Sequence, residues 1–195
     1  MERPMPSFTA RQVREACNGR LAAGRERTRA HGISTDTRTL REEQAFLALK
    51  GDNHDGHDFI PQAIRAGASL LIVAEASVPR HVPEQLAVVA VEDTTMALMD
   101  LARWHRDRLT GPVLAITGSC GKSTVKTMVG AILSQAGRCS VADKSYNNRI
   151  GVSLSLLKAR VDDDYTVLEM GTNHPGEIDE LAEIARPHAG LITCI

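Results

Sequence analysis

The residues best suited to chemistry are Gly118, Ser119, Cys120, Gly121, Lys122, Ser123 and Thr124, which lie between an apolar run at 113–116 and a helical pattern from about 122 to 135. Gly118 and Gly121 carry no side chain that would block a phosphate, so backbone N–H groups and a helix N-terminus can surround an anion there. Lys122 is placed to neutralise β- and γ-phosphate charge, and the Ser123 hydroxyl to ligate Mg2+. One strand further on, Glu169 ends an apolar run at 165–170 and supplies a carboxylate that could complete the Mg2+ shell opposite Ser123. The common pattern G-x-x-x-x-G-K-[ST] is incomplete, because Ile116 stands at its first glycine. A bare Gly-Lys-Ser can equally be a helix-capping loop with an exposed lysine. The preceding apolar strand, the second glycine and the following helix together favour a nucleoside triphosphate. Cys120 reads as a tolerated loop residue, since no partner base is identifiable.

The elements that must position these residues follow from periodicity. Residues 7–18 read as a short helix closed at Asn18-Gly19. Strands are predicted at 45–49, 70–73 and 87–91, with a helix at 59–66 ending at Gly67. A longer helix at 94–109 is broken by Thr110-Gly111-Pro112, where the spacing places a domain boundary. Beyond it come strand 113–116, helix 122–135, strand 165–170, helix 177–185 and strand 190–195. The fold class is therefore α/β: a small N-terminal αβ domain at 1–110, followed at 111–195 by part of a parallel-sheet phosphate-loop domain. Ligands of open parallel sheets gather beyond the carboxyl ends of the strands. The sequence stops at one such end, which predicts a piece of a longer chain.

Composition narrows the classes further. In 195 residues, 23 basic side chains face 24 acidic ones, for a net charge of -1, so no global field favours nucleic acid or anionic lipid. Cys17, Cys120, Cys139 and Cys194 are scattered without the close pairs of a zinc or redox site, which suits a reducing cytoplasm. The first residues lack an apolar signal core, and no apolar run reaches the roughly 18 residues needed to span a bilayer. A soluble cytoplasmic protein is expected, with no membrane and no nucleic-acid partner.

The phosphate loop resembles the shortened T-G-[ST]-x-G-K-[ST] loop of the Mur ligase family, which also lacks the first glycine. Asn147-Asn148-Arg149-Ile150-Gly151-Val152 is similar to the N-N-x-I-G-V stretch of that family's D-alanyl-D-alanine-adding branch. Glu169-Met170-Gly171-Thr172-Asn173-His174-Pro175-Gly176-Glu177-Ile178 is similar to the branch's E-[LM]-G-x-N-H-x-G-E-I stretch. Near the N-terminus, Ser34-Thr35-Asp36-Thr37-Arg38 and the segment from Ala48 through Lys50, Asp52, Asn53, Asp55, Gly56 and His57 to Phe59 resemble the S-x-D-[ST]-R and A-L-x-G-x-x-x-D-G-H-x-F segments. Ser153 departs from the family, where proline is frequent, and Gln44-Ala45 replaces a Gly/Leu pairing.

The resemblance implies an ATP-dependent amide-bond ligase that joins D-alanyl-D-alanine to UDP-N-acetylmuramoyl-tripeptide through an acyl phosphate, with ATP and Mg2+ as cofactors and a monomeric state. It implies that Gly118 to Thr124 bind ATP and that Ser123 and Glu169 hold the metal. Lys122, Glu169 and His174 would be catalytic. Ser34, Thr35, Asp36, Arg38, Lys50, Asp55, Gly56 and His57 would bind the UDP-sugar, with Asn147, Asn148 and Asn173 near the reaction centre. Read without the resemblance, Asp36 and Arg38 suit a turn ion pair, His57 a tight turn and His174 a loop cap. The family has a further metal-binding histidine, a carbamylated lysine and a C-terminal domain downstream, so the 195-residue chain alone is expected to be inactive. The rival readings are another phosphate-loop NTPase or kinase and a UDP-sugar-binding module without catalysis.

Overall fold

The computed structural model describes residues 5–51, 54–143 and 146–194; Asp52, Asn53 and Ile195, named above, lie outside the described residues. The chain divides into two compact units, 1–101 and 102–195.

The first unit starts with β1 (Ser7–Thr9) and α1 (Ala10–Ala16). The helix predicted at 7–18 is thus confined to 10–16, because residues 7–9 form a strand and Thr9 caps the helix. Thr9 caps α1 through a capping box, its hydroxyl accepting from Gln12 N while the Gln12 side chain accepts from Thr9 N. Three short strands follow, β2 (Arg20–Ala23), β3 (Arg29–His31) and β4 (Ile33–Ser34), none of them anticipated; they have too few residues to show a period. Then come β5 (Ala45–Leu47), α2 (Ile60–Arg65), β6 (Leu70–Ala74), β7 (Ala87–Val91) and α3 (Thr94–Arg106), whose last residues, from Ala102 on, fall in the second unit. A 3-10 turn at Gly56–Phe59 leads into α2, and Gly67 with φ 84° lets the chain leave it.

β1 pairs with β3. The main sheet runs β2-β7-β6-β5-β4, parallel from β4 to β7, with β2 antiparallel at its edge. Its central strands are buried on both faces, Leu70 to Val73 at 0% exposure, which explains their unbroken apolar sequence. Phe46, Leu71, Val73 and Val88 pack with Ile60 and Ala63 of α2 on one face.

The second unit holds β8 (Val113–Thr117), α4 (Lys122–Ala136), β9 (Cys139–Val141), α5 (Arg149–Lys158), β10 (Tyr165–Glu169), α6 (Glu177–Ala185) and β11 (Ala189–Ile192). β9 and α5 were not anticipated as elements. All four strands are parallel, in the order β11-β8-β10-β9. Right-handed crossovers put α4 on one face and α5 with α6 on the other, and α5 packs against α6 accordingly. The strands β8 and β10 are neighbours whose following helices leave for opposite faces, so the crevice beyond their carboxyl ends is the topological switch point. The Ser153 side chain in α5 is fully buried, and its hydroxyl finds no hydrogen-bond partner among the described residues.

Candidate functional site

The phosphate-loop residues occupy the switch point. Gly118 has φ 133°, and a Cβ built there would lie 2.3 Å from Thr193 Oγ1, so both backbone and space require glycine. Gly121 has φ 79° and stands at the N-cap of α4, where conformation alone makes the demand. The loop is braced from β11: Ser119 N donates to Cys194 O at 2.8 Å, and the Thr193 hydroxyl donates to Cys120 O and Thr117 O. Lys122 Nζ lies across the loop, donating to Gly118 O at 2.6 Å. Cys120 is exposed.

Glu169 is the hub of the site. Its register partner is Ile116, so the end of β10 stands directly beside the entry to the loop. Ser123 Oγ donates to Glu169 Oε2 at 2.9 Å, and Lys126 Nζ lies 3.1 Å from the same oxygen. Asn147 Nδ2 donates to Oε1 at 3.2 Å. Burial is the largest single influence on this carboxyl and opposes its charge, but hydrogen bonds from Lys126 and then Ser123 outweigh it, keeping Glu169 below the usual carboxylate range. A hydroxyl and a carboxylate oxygen within hydrogen-bond reach are hard oxygen donors of the kind Mg2+ takes, so the pair fits that ion.

Asn147 is held in turn by Gly171, whose amide donates to Asn147 O at 2.8 Å; a Cβ on Gly171 would come within 2.8 Å of the asparagine side chain. Asn148 instead caps α5, its Oδ1 accepting from Gly151 N at 2.8 Å. Thr172, Asn173 and His174 are exposed, and Glu177 shapes the loop that carries them. Its Oε2 accepts from the amides of Asn173 at 2.6 Å and His174 at 3.1 Å. Those amides, Asn173 first, lower the Glu177 carboxyl. Lys122, Asn147, Arg149, Gly171, Asn173 and Glu177 are among the residues lining one cleft of about 570 Å³.

In the first unit, Ser34 ends β4 with Asp36 and Arg38 following it, and Lys50, Asp55, Gly56 and His57 follow β5, at the carboxyl ends of adjacent parallel strands. Their polar groups are largely engaged with one another. Ser34 Oγ accepts from Asp36 N at 3.2 Å, and Arg38 pairs with Asp36 through two guanidinium nitrogens. The Arg38 side chain, then its amide, lower the Asp36 carboxyl. Lys50 and Asp55 form an isolated antiparallel bridge, and Gly56 is closed in by backbone, since a Cβ there would lie 2.6 Å from Leu49 O. His57 is the most constrained of the set. Ala74 N donates to its Nε2 at 3.0 Å, so Nδ1 must carry the ring hydrogen, which it gives to Asp55 Oδ1 at 2.5 Å. His57 thereby ties the loop after β5 to the end of β6.

Sequence reasoning passed over Lys126, Glu177, Thr193 and Cys194. Lys126 had a signal: it lies four residues before Gly130 on one face of α4, and these two are the buried positions of that helix. Thr193 and Cys194 had none, because their partners are more than 70 residues away.

The sequence matches the Mur ligase middle domain over residues 116–195 and the Mur ligase family, catalytic domain, over residues 29–106. UDP-N-acetylmuramoyl-tripeptide--D-alanyl-D-alanine ligases of Bacillus subtilis and Escherichia coli are each 40% identical to it over 188 residues, 96% of this chain. The chain spans 41% and 40% of those two relatives' lengths. A crystal structure of MurF from Acinetobacter baumannii superimposes with a TM-score of 0.85 at 36% identity, covering 97% of this chain and 41% of that one. MurF ligase from Thermotoga maritima in complex with ADP gives a TM-score of 0.69 at 29% identity, over 84% of this chain and 37% of that one.

Proposed function

This chain belongs to the Mur ligase family, and from that premise we propose that it forms the UDP-sugar-binding and leading ATP-binding parts of a ligase that joins D-alanyl-D-alanine to UDP-N-acetylmuramoyl-tripeptide. The observation that carries this reading is the meeting of Ser123 and Glu169, 2.9 Å apart, beside a two-glycine loop at the switch point of a parallel sheet.

In this reading the amides around Gly118 and Gly121 take the phosphates, and Lys122 exchanges the carbonyl of Gly118 for phosphate oxygens. Ser123 and Glu169 hold Mg2+, which when bound supplies charge neutralisation at the transferring phosphoryl group. Asn147 keeps the Glu169 carboxylate turned toward Ser123. The loop fixed by Glu177 presents Asn173 and His174 to the reaction centre, where the substrate carboxylate is phosphorylated and then attacked by the dipeptide amine. Catalysis is chiefly positioning and electrostatics. In the first unit, the loops holding Ser34, Thr35, Asp36 and Arg38, and Lys50, Asp55, Gly56 and His57, form the UDP-sugar site. The division of labour is residues 1–110 for the sugar nucleotide and 111–195 for ATP. Four free cysteines suit a reducing cytoplasm, where the ligase would act as a monomer. Among the described residues no helix is long and apolar enough to cross a membrane.

The deciding experiment is calorimetric titration of the chain with magnesium and a non-hydrolysable ATP analogue, and separately with UDP-N-acetylmuramoyl-tripeptide, repeated on Lys122→Ala. The substitution is expected to weaken the nucleotide at least about tenfold, as loss of a charge-assisted phosphate contact should, and to spare the sugar nucleotide. Nucleotide binding that ignores Lys122 would overturn the reading.

A further inference from the structure

Both oxygens of Glu169 are engaged by the protein itself. Asn147 donates to Oε1, while Ser123 and Lys126 both address Oε2. The Lys126 and Glu169 side chains are 5% and 1% exposed, so the two members of this ion pair are enclosed together. A buried carboxylate with no cation beside it is strongly disfavoured. A carboxylate that always carried a divalent ion would not need a lysine at the same oxygen. The lysine reaches that oxygen because Lys126 and Gly130 lie on the buried side of α4, with Gly130 fitting closely against Val141, while Ser123 one turn earlier approaches the same oxygen from the exposed start of the helix.

We propose that Lys126 is a resident counter-ion for Glu169, which balances the carboxylate when no divalent ion is bound and competes with that ion for Oε2. The inference rests on Ser123 and Glu169 being the magnesium ligands. A divalent ion arriving alone would have to sit beside the ammonium at the shared oxygen, and like charges at that separation repel strongly where water is excluded. A triphosphate brings several anionic oxygens to the same place and offsets the repulsion. Lys126 therefore ties metal uptake to nucleotide binding, and by linkage ties nucleotide affinity to the metal by the same factor. It is a positioning residue that touches neither substrate nor phosphoryl group.

The test is a titration of the 195-residue chain with Mn2+ in the absence of nucleotide, followed by the paramagnetic resonance of the free ion, for wild type, Lys126→Gln and Lys126→Arg. The glutamine amide can still donate to Glu169 but carries no charge, whereas the arginine keeps the charge. The expected result is nucleotide-free Mn2+ binding about tenfold tighter in Lys126→Gln, wild-type affinity in Lys126→Arg, and loss of the gain when Glu169→Gln is added to Lys126→Gln. Unchanged or weaker binding in Lys126→Gln, or tighter binding in Lys126→Arg, would overturn the proposal. Should Lys126→Gln fail to fold without metal, Mn2+ must restore its circular dichroism, and failure to do so counts equally against it. Parallel calorimetry of wild type with magnesium and the ATP analogue separates the two readings. Binding there with no gain in Lys126→Gln removes only the counter-ion role, whereas no binding by wild type removes both.

Discussion

The two units place their polar sequence signatures at equivalent positions, beyond the carboxyl ends of parallel strands, yet use them differently. In the first unit the partners are close along the chain: Asp36 binds Arg38 two residues away, and Asp55 binds His57 at the same spacing. In the second, Glu169 gathers Ser123, Lys126 and Asn147 from 46, 43 and 22 residues away, with Gly171 holding the asparagine from behind. Local pairing makes a stiff loop that satisfies its own polar groups. Long-range convergence makes an interior charge cluster whose members depend on one another.

That contrast can be broken most forcefully at its hub. Glu169→Ala would remove the buried carboxylate that Lys126 faces and is expected to destabilise the second unit by about 3–5 kcal/mol, as removal of one member of a buried pair does. Urea unfolding of the variant measures it. Adding Lys126→Met should recover much of the loss, whereas additive effects would mean the two side chains are not coupled.

Acid should distinguish the units as well. The folded value of Glu169 lies below its ordinary 4.5, so its contribution is complete above about pH 4.5 and disappears as pH falls through the lower folded value. In Glu169→Gln that part of the acid dependence should vanish, which a stability profile between neutral pH and the acid transition will show.

His57→Ala should cost the first unit about 1–3 kcal/mol, because the Ala74 amide loses its acceptor inside a tight corner. Nucleotide binding by the second unit should be unaffected. A loss of ATP-analogue affinity in this variant would erase the separation drawn between the two sites. The smallest effect belongs to Asp36→Ala. Its partner Arg38 is 83% exposed, and exposed ion pairs contribute little. The melting temperature should not move measurably, while affinity for the sugar nucleotide, read by calorimetry, should fall if the outer face of this turn is the binding surface.

Much of this protein was legible before any coordinates. The run at 87–91 and the helix at 177–185 came out at the predicted bounds, because an unbroken apolar, valine-rich stretch and a periodic stretch flanked by Gly176 and Arg186-Pro187 each permit one reading. The strand-loop-helix unit that carries Gly118, Gly121, Lys122 and Ser123 was legible because an apolar run, two glycines and a helical pattern follow one another at short spacing. The strands β2, β3, β4 and β9 were not, since runs of two to four residues show no period and owe their pairing to neighbours elsewhere in the chain.

What the sequence determined by itself is therefore the set of groups and their local conformations: which glycines can turn, which residue caps, which carboxylate ends a strand. Only the tertiary structure decided which groups share a charge. Lys126 is one of five lysines until the packing of α4 buries the face that carries it, and Thr193 becomes a brace for the glycine loop only when β11 pairs with β8. The physical reason is range. Backbone preference acts over a few residues, whereas desolvation and Coulomb forces act on whatever the fold brings within a few ångströms.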